Sequence, residues 1–347
     1  MYKNLIHLEY VVQSGALKSL SDHVIYFYIK PWLEPPTNHL WELLKRNPKK
    51  KWSWLGLSAN PNITWEIVQN NLDKPWDWRG LSKNPNITWE IVQNNPNSDR
   101  EPRGRWRWDY DSLSMNPNIT WEIVQNNPDK PWNWYALSRH PNITWEIVQN
   151  NPDRDRKPRD RWNWSGLSIN PNITWEIVQN NPDKPWNWYA LSRHPNITWE
   201  IVQNNPNSDR DPKDRWSWWL LCANPSVTTW EIVQNNPNTD RPNEPWIMHM
   251  LSNNPNITWE TVQNNPDSDR GPKDRWNWDG LSANPGVATW EIVQNNPDKP
   301  WNWFYLSFNP NITWEIVQNN PDTDRGPNDQ WNWHNLSYNI FATPTKK

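Results

Sequence analysis

The chain has 347 residues, with 35 Lys plus Arg against 38 Asp plus Glu and a formal charge of -3; phosphate-reading proteins ordinarily carry a cationic excess, so nucleic acid is not an expected partner. Its 34 Trp, each able to bury roughly 150–250 Å², exclude a disordered chain despite scarce aliphatics. The lone Cys222 excludes an intramolecular disulfide, and 9 Gly leave no glycine-rich phosphate loop.

Residues 1–36 match nothing downstream and are comparatively apolar, which predicts an N-terminal cap over the first face of an array. Their longest apolar run, Val24–Ile29, is too short to span a bilayer, and polar residues interrupt Leu5–Val12 where a signal peptide would need its apolar core. An intracellular, soluble location with no membrane partner is therefore expected.

From residue 37 to 339 the chain repeats. Thr-Trp-Glu occurs ten times, with Trp at 65, 89, 121, 145, 175, 199, 230, 259, 290 and 314, at intervals of 24 to 32 residues. A degenerate copy, Trp41-Glu42-Leu43-Leu44, lies 24 residues before Trp65. A second signature, Trp-x-Trp-x-x-Leu-Ser, alternates with it in eleven copies, with Tyr110 and Met248 standing for the second Trp and Cys222 for one Ser. Only Trp32, Trp106 and Trp219 fall outside both registers.

Each unit reads as two short helices. In Asn62-Ile63-Thr64-Trp65-Glu66-Ile67-Val68 the expected N-cap is Thr64, with Glu66 at the positive end of the dipole and Ile63 and Val68 as a hydrophobic staple. Thr229 and Thr289 still precede Trp where the upstream residues change, which favours Thr over Asn as the cap. Asn-Asn-Pro stops that helix. The other helix is expected to begin near Pro-Trp, as at Pro131-Trp132, with Pro in its first turn. It ends at Asn-Pro or His-Pro, carries a core Leu, and in most copies places a small residue before that Leu, such as Gly56, Gly80, Ala136 and Gly166, for close helix approach. Helices this short are marginal alone, so the units must stack. The fold class expected is all-α: an elongated α-solenoid of about eleven two-helix repeats of ~24–32 residues. A short polar tail, 340–347, closes the chain.

The phrase Asn-Pro-Asn-Ile-Thr-Trp-Glu-Ile-Val-Gln-Asn-Asn-Pro-Asp-Lys-Pro-Trp-Asn-Trp, starting at Asn116, resembles a Trp-rich tandem-repeat family in uncharacterised proteins of giant DNA viruses. The resemblance covers residues 37–339. It implies a viral origin, with host cytoplasm or virion as the location, and brings no activity or catalytic residue with it. The rhythm is also similar to leucine-rich-repeat variants, which place Asn-Pro between two short helices of a solenoid.

No catalytic, cofactor or metal constellation is expected. The seven His form no spaced pair suited to a metal, and His140 and His194 sit in identical stretches, 131–152 and 185–206, where they replace Asn at a helix end. Eight Asn-Ile-Thr triplets match the glycosylation sequon but are better explained by helix capping. Asp267-x-Asp269-x-Gly271 and Asp322-x-Asp324-x-Gly326 have a faint calcium-loop rhythm, yet Arg stands where a further ligand belongs. The insertions between Asn-Asn-Pro and the next Trp carry Asp99-Arg100, Asp155-Arg156, Asp209-Arg210, Asp240-Arg241, Asp269-Arg270 and Asp324-Arg325. Loops that vary while helices repeat are candidate partner-binding elements. Trp106 and Trp219, out of register, are the candidate exposed aromatics. The expected function is a non-enzymatic scaffold for protein–protein interaction, with specificity in the variable positions and long loops. The alternatives are a self-associating structural protein of a virion or viral factory, and an aromatic array binding carbohydrate or nucleic acid.

Overall fold

The computed structural model describes residues 38–95, 107–153, 160–206, 214–236, 246–267, 275–322 and 329–341. All regular structure among them is helical, in 22 short helices with no strand. The chain divides into two compact units, Met1–Pro48 and Lys49–Lys347. In the first, the helix His39–Arg46 is capped by Asn38, whose side chain accepts from the Trp41 amide, and it buries Leu40, Leu43 and Leu44. The expected cap, residues 1–36, lies outside the described residues.

The second unit is the repeat array, an all-α solenoid. Ten of its described helices start at the Trp of Thr-Trp-Glu, from Trp65–Gln69 to Trp314–Asn319. In each, the preceding Thr hydroxyl accepts the amide N–H three residues on, as Thr64 does from Ile67 at 3.3 Å. The predicted staple is present: Ile63 and Val68 are both 1% exposed. Thr, not Asn, is the cap.

Eleven helices belong to the other signature, from Trp54–Ala59 to Trp333–Leu336. Their start corrects the sequence expectation. The helix begins at the second Trp, and the residue between the two Trp is the N-cap; Asn133, for example, accepts from the Ala136 amide at 3.0 Å. Pro131 and Trp132 precede the helix. An Asx side chain can close the first turn, whereas proline only tolerates one, so the cap decides the boundary. The first Trp is spent otherwise: Trp132 is buried, and its indole N–H donates to the Asn127 carbonyl that ends the previous Thr-Trp-Glu helix, at 2.8 Å. The small residue before Leu does permit close approach, since a Cβ on Gly80 would lie 2.6 Å from the Leu55 carbonyl oxygen of the preceding layer.

Three ladders join consecutive layers. In the first, the cap residue's backbone N–H donates to the Ser hydroxyl of the layer before, as Asp77 does to Ser58 at 2.9 Å. In the second, the buried Asn of Asn-Pro reaches back; Asn84 Nδ2 donates to the carbonyls of Ser58, Asn60 and Ile63, each at 2.9 Å. The third is aromatic. Trp145 meets Trp164 and Trp186 of the next two layers at 6.5 and 5.9 Å between centroids, and Trp164 meets Trp186 edge-on at 5.1 Å. These ladders satisfy backbone groups that helices of four to six residues leave unpaired.

The same ladders join the last layer to the first. The Ser53 N–H donates to the Ser337 hydroxyl at 2.9 Å. Asn60 Nδ2 donates to the carbonyls of Ser337 and Asn339 at 3.1 and 3.0 Å, and Trp52 meets Trp333 edge-on at 5.1 Å. Lys50 adds an ion pair to Asp322 at 3.0 Å. The solenoid is therefore closed, which corrects the elongated, open-ended stack expected from the repeats. The physical reason lies in the repetition itself. Identical bonds set an identical small rotation at each step, and here the steps complete a turn.

Candidate interaction surface

Within a Trp-x-Trp helix nearly every position is committed to the stack. The cap bonds the first turn, the first helical residue is in most copies the half-buried second Trp, the third is small in seven copies and Leu220, Met250, Tyr305 or Asn335 in the others, the fourth is the buried Leu, and the fifth is the ladder Ser or Cys222. That leaves the second and sixth positions; where the helix spans four residues its C-cap Ser keeps right-handed helical geometry, as Ser192 does, so the two positions, four residues apart, still share one face. The second positions read Leu55, Arg79, Asp111, Tyr135, Ser165, Tyr189, Trp219, His249, Asp279, Phe304 and His334. The sixth read Ala59, Lys83, Met115, Arg139, Ile169, Arg193, Ala223, Asn253, Ala283, Phe308 and Tyr338. Varying from copy to copy on the solvent side of these helices, these two positions form a stripe running round the closed array.

The stripe is rich in exposed aromatic surface. Tyr189 is 58% exposed, Trp219 and Phe304 each 47%, Tyr135 44% and Phe308 41%. Trp219 stacks on His249 at 6.0 Å, and Phe304, Phe308 and Tyr338 form a chain of ring contacts at 6.0 and 6.1 Å. Polar residues at the second position do a different job. Asp111, Ser165 and Asp279 each accept from the side-chain amide of the next layer's cap, Asn133, Asn187 and Asn302, at 2.9, 2.8 and 2.6 Å. The stripe thus mixes residues that brace the ring with residues presented to solvent. Contiguous exposed aromatics on an otherwise polar surface mark a contact site.

Of the residues singled out in the sequence, Trp219 lies on this stripe. Trp106 and the Asp-Arg pairs Asp99-Arg100, Asp155-Arg156, Asp209-Arg210, Asp240-Arg241, Asp269-Arg270 and Asp324-Arg325 lie outside the described residues. The bases of three insertions are described. Asp153, Asp267 and Asp322 each accept the backbone N–H of the Trp that ends the insertion, at 2.8 Å. Two of the acids in the calcium-like rhythm thus serve as structural acceptors. Among the described residues, no group of three or more His, Cys, Asp or Glu is arranged to hold a metal, and no helix is long and apolar enough to cross a membrane.

The polar residues questioned from sequence all fall into ladder slots. Asn86 of an Asn-Ile-Thr triplet donates to the Pro61 carbonyl of the preceding layer at 2.7 Å, so these Asn tie layers together while Thr does the capping. His140 and His194 stand in the Asn ladder. The His140 Nε2 pairs with the Asn116 carbonyl at 2.9 Å, its Nδ1 accepts from Asn142, and burial holds its pKa below the ordinary value. Cys222 accepts the Ile247 N–H at 3.4 Å in the Ser slot, and burial pushes its thiol up to about 11. No family model, curated protein or solved structure matches the chain.

Proposed function

We propose that this chain is a non-enzymatic scaffold that recognises a protein partner through the variable stripe of its closed helical array. One observation carries the reading: two solvent-facing positions per layer vary from copy to copy, and those positions hold Tyr135, Tyr189, Trp219, Phe304 and Phe308 at 41–58% exposure. A merely solvated face has no use for so many large aromatics, whereas binding hot spots are built from Trp, Tyr and Arg. The side chains beneath are fixed by ladders, so little ordering cost accompanies binding. A location inside the cell, or in a virion if the chain is viral, belongs to the same proposal. It is supported by a single cysteine held as a buried structural thiol.

The test is affinity capture from expressing cells with the wild type and with a Tyr189→Ser, Trp219→Ser, Phe304→Ser, Phe308→Ser variant, after circular dichroism shows both folded. Loss of one saturable protein partner in the variant supports the reading. Undiminished capture by the folded variant overturns it. Concentration-dependent self-association that the same variant abolishes would replace the partner with further copies of the chain.

A further inference from the structure

The stripe is not uniform in charge. From the second to the sixth layer it carries Arg79, Lys83, Arg139 and Arg193 against one carboxylate, Asp111, already engaged by Asn133. None of the four cations forms an ion pair among the described residues. The remaining layers carry no Lys or Arg on the stripe. Two of the cations stand just past the ends of helices that carry exposed tyrosines, and Arg139 sits 5.9 Å from the Tyr135 ring centre. These pairs, Tyr135 with Arg139 and Tyr189 with Arg193, lie in the identical stretches 131–152 and 185–206, two layers apart. The closed array thus carries the same Tyr-Arg pair twice, with the Arg set over the ring at Tyr135.

We propose that this arc binds an acidic, extended segment of a partner protein, one carboxylate pairing with each Arg and the neighbouring side chains lying on the tyrosines. The inference rests on the scaffold reading above and names the partner's chemistry. Arginine's fork suits carboxylates, and tyrosine offers flat apolar area at low entropy cost. The repeat also sets a spacing. Two layers at ~8–10 Å each span ~16–20 Å, which an extended chain covers in about five or six residues. A long polyanion fits less well. Each Thr-Trp-Glu helix presents a Glu near its N-terminus, mostly exposed, so a chain running round the array passes a carboxylate at each of these helices but stripe cations only in the arc. A short acidic segment confined to the arc stays where the cations are.

The experiment uses the full chain and fluorescent Gly/Ser-based peptides carrying two Asp-Glu pairs about six residues apart. Comparison probes are the same composition with the acids adjacent, a Lys-for-acid version and a single-stranded oligothymidylate, all at low salt. Saturable binding of the spaced acidic peptide is expected, weakened at least ~10-fold by Arg139→Glu with Arg193→Glu and transferred by that variant to the Lys peptide. The pair Arg139→Gln with Arg193→Gln provides a neutral second variant should the reversal perturb folding. No saturable binding, equal binding by the folded variants, or preference for the oligonucleotide overturns the proposal. If the acidic peptide fails while the aromatic quadruple variant still loses its cellular partner, the scaffold reading stands and only the partner's chemistry is wrong. If the aromatic variant keeps its partner while the peptide obeys Arg139 and Arg193, the arc stands and the wider stripe does not.

Discussion

Replacing Asn84 with Ala removes one rung of the buried ladder. Its side chain is fully buried; the amide donates to the carbonyls of Ser58, Asn60 and Ile63, and its Oδ1 accepts from the Asn86 N–H at 2.8 Å. Two of the four partners keep another bond in the Ala variant, because Ile63 N–H still reaches the Asn60 carbonyl and Asn86 Nδ2 still reaches the Ile63 carbonyl. The Ser58 carbonyl and the Asn86 N–H lose theirs. At ~1–3 kcal/mol for each buried unsatisfied group, the expected loss is about 4 kcal/mol once the vacated volume is included. Asn84→His should cost only about 1–2 kcal/mol, since a ring keeps one donor and one acceptor, as His140 shows with Asn116 and Asn142. The assay is urea denaturation followed by Trp fluorescence and far-UV circular dichroism, with amide exchange at Asn86 as a local readout. The exposed residue Gln69, changed to Ala, serves as the control. An Asn84→Ala loss no larger than that of the control, or a His variant as damaged as the Ala variant, would refute the ladder's role.

Trp145→Ala, which removes a half-buried ring touching Trp164 and Trp186, should cost ~3 kcal/mol or more, and Trp219→Ala less than ~1 kcal/mol; equal small losses in denaturation midpoints would contradict this. Native Cys222 should resist a thiol reagent at pH 8, because burial raises its pKa to about 11, and should react once the chain unfolds; Cys222→Ser should shift stability by less than about 1 kcal/mol. His140 and His194 have pKa values lowered from 6.5 chiefly by burial. Below about pH 6.5 the unfolded chain therefore takes up protons that the folded chain refuses, and stability falls as pH drops. The variant with Asn at both positions should lose this part of the slope, and identical pH profiles in thermal unfolding would contradict it.

Much of the local structure is legible from single copies of the repeat. Thr64 as cap, Ile63 with Val68 as staple, and Leu as core each depend on residues within a few positions of one another, where helix physics acts directly. The Trp-x-Trp helix start was obscured because Pro131 is a conspicuous signal, while the true cap, Asn133, lies between two large aromatics and looks incidental. The ladder Asn was hidden by its neighbour: Asn-Pro reads as a stop, and nothing local shows that Asn84 reaches into the previous layer. Closure is hidden for a different reason, since it sums a small rotation that no single copy displays. A trace of it was nevertheless present. The last half-unit retains Ser337 in full register, although the ladder Ser accepts from the layer that follows and an end facing water would have no use for it. The stripe is visible as variation at the second and sixth helical positions, but its exposure follows only once the ladders claim the other positions.

Closure itself can be measured as a distance. Leu55 and His334 occupy the same stripe position in the first and last layers, and Tyr135 and Ser165 occupy it in two interior neighbours. Spin labels on cysteines at each pair, in a Cys222→Ser background, should give the same distance distribution by pulsed electron resonance, below about 25 Å, because both pairs span one layer step of ~8–10 Å plus the label linkers. An open stack would leave the interior pair unchanged and place the labels at 55 and 334 some ~80–100 Å apart, ten steps instead of one. That result would contradict the closed array.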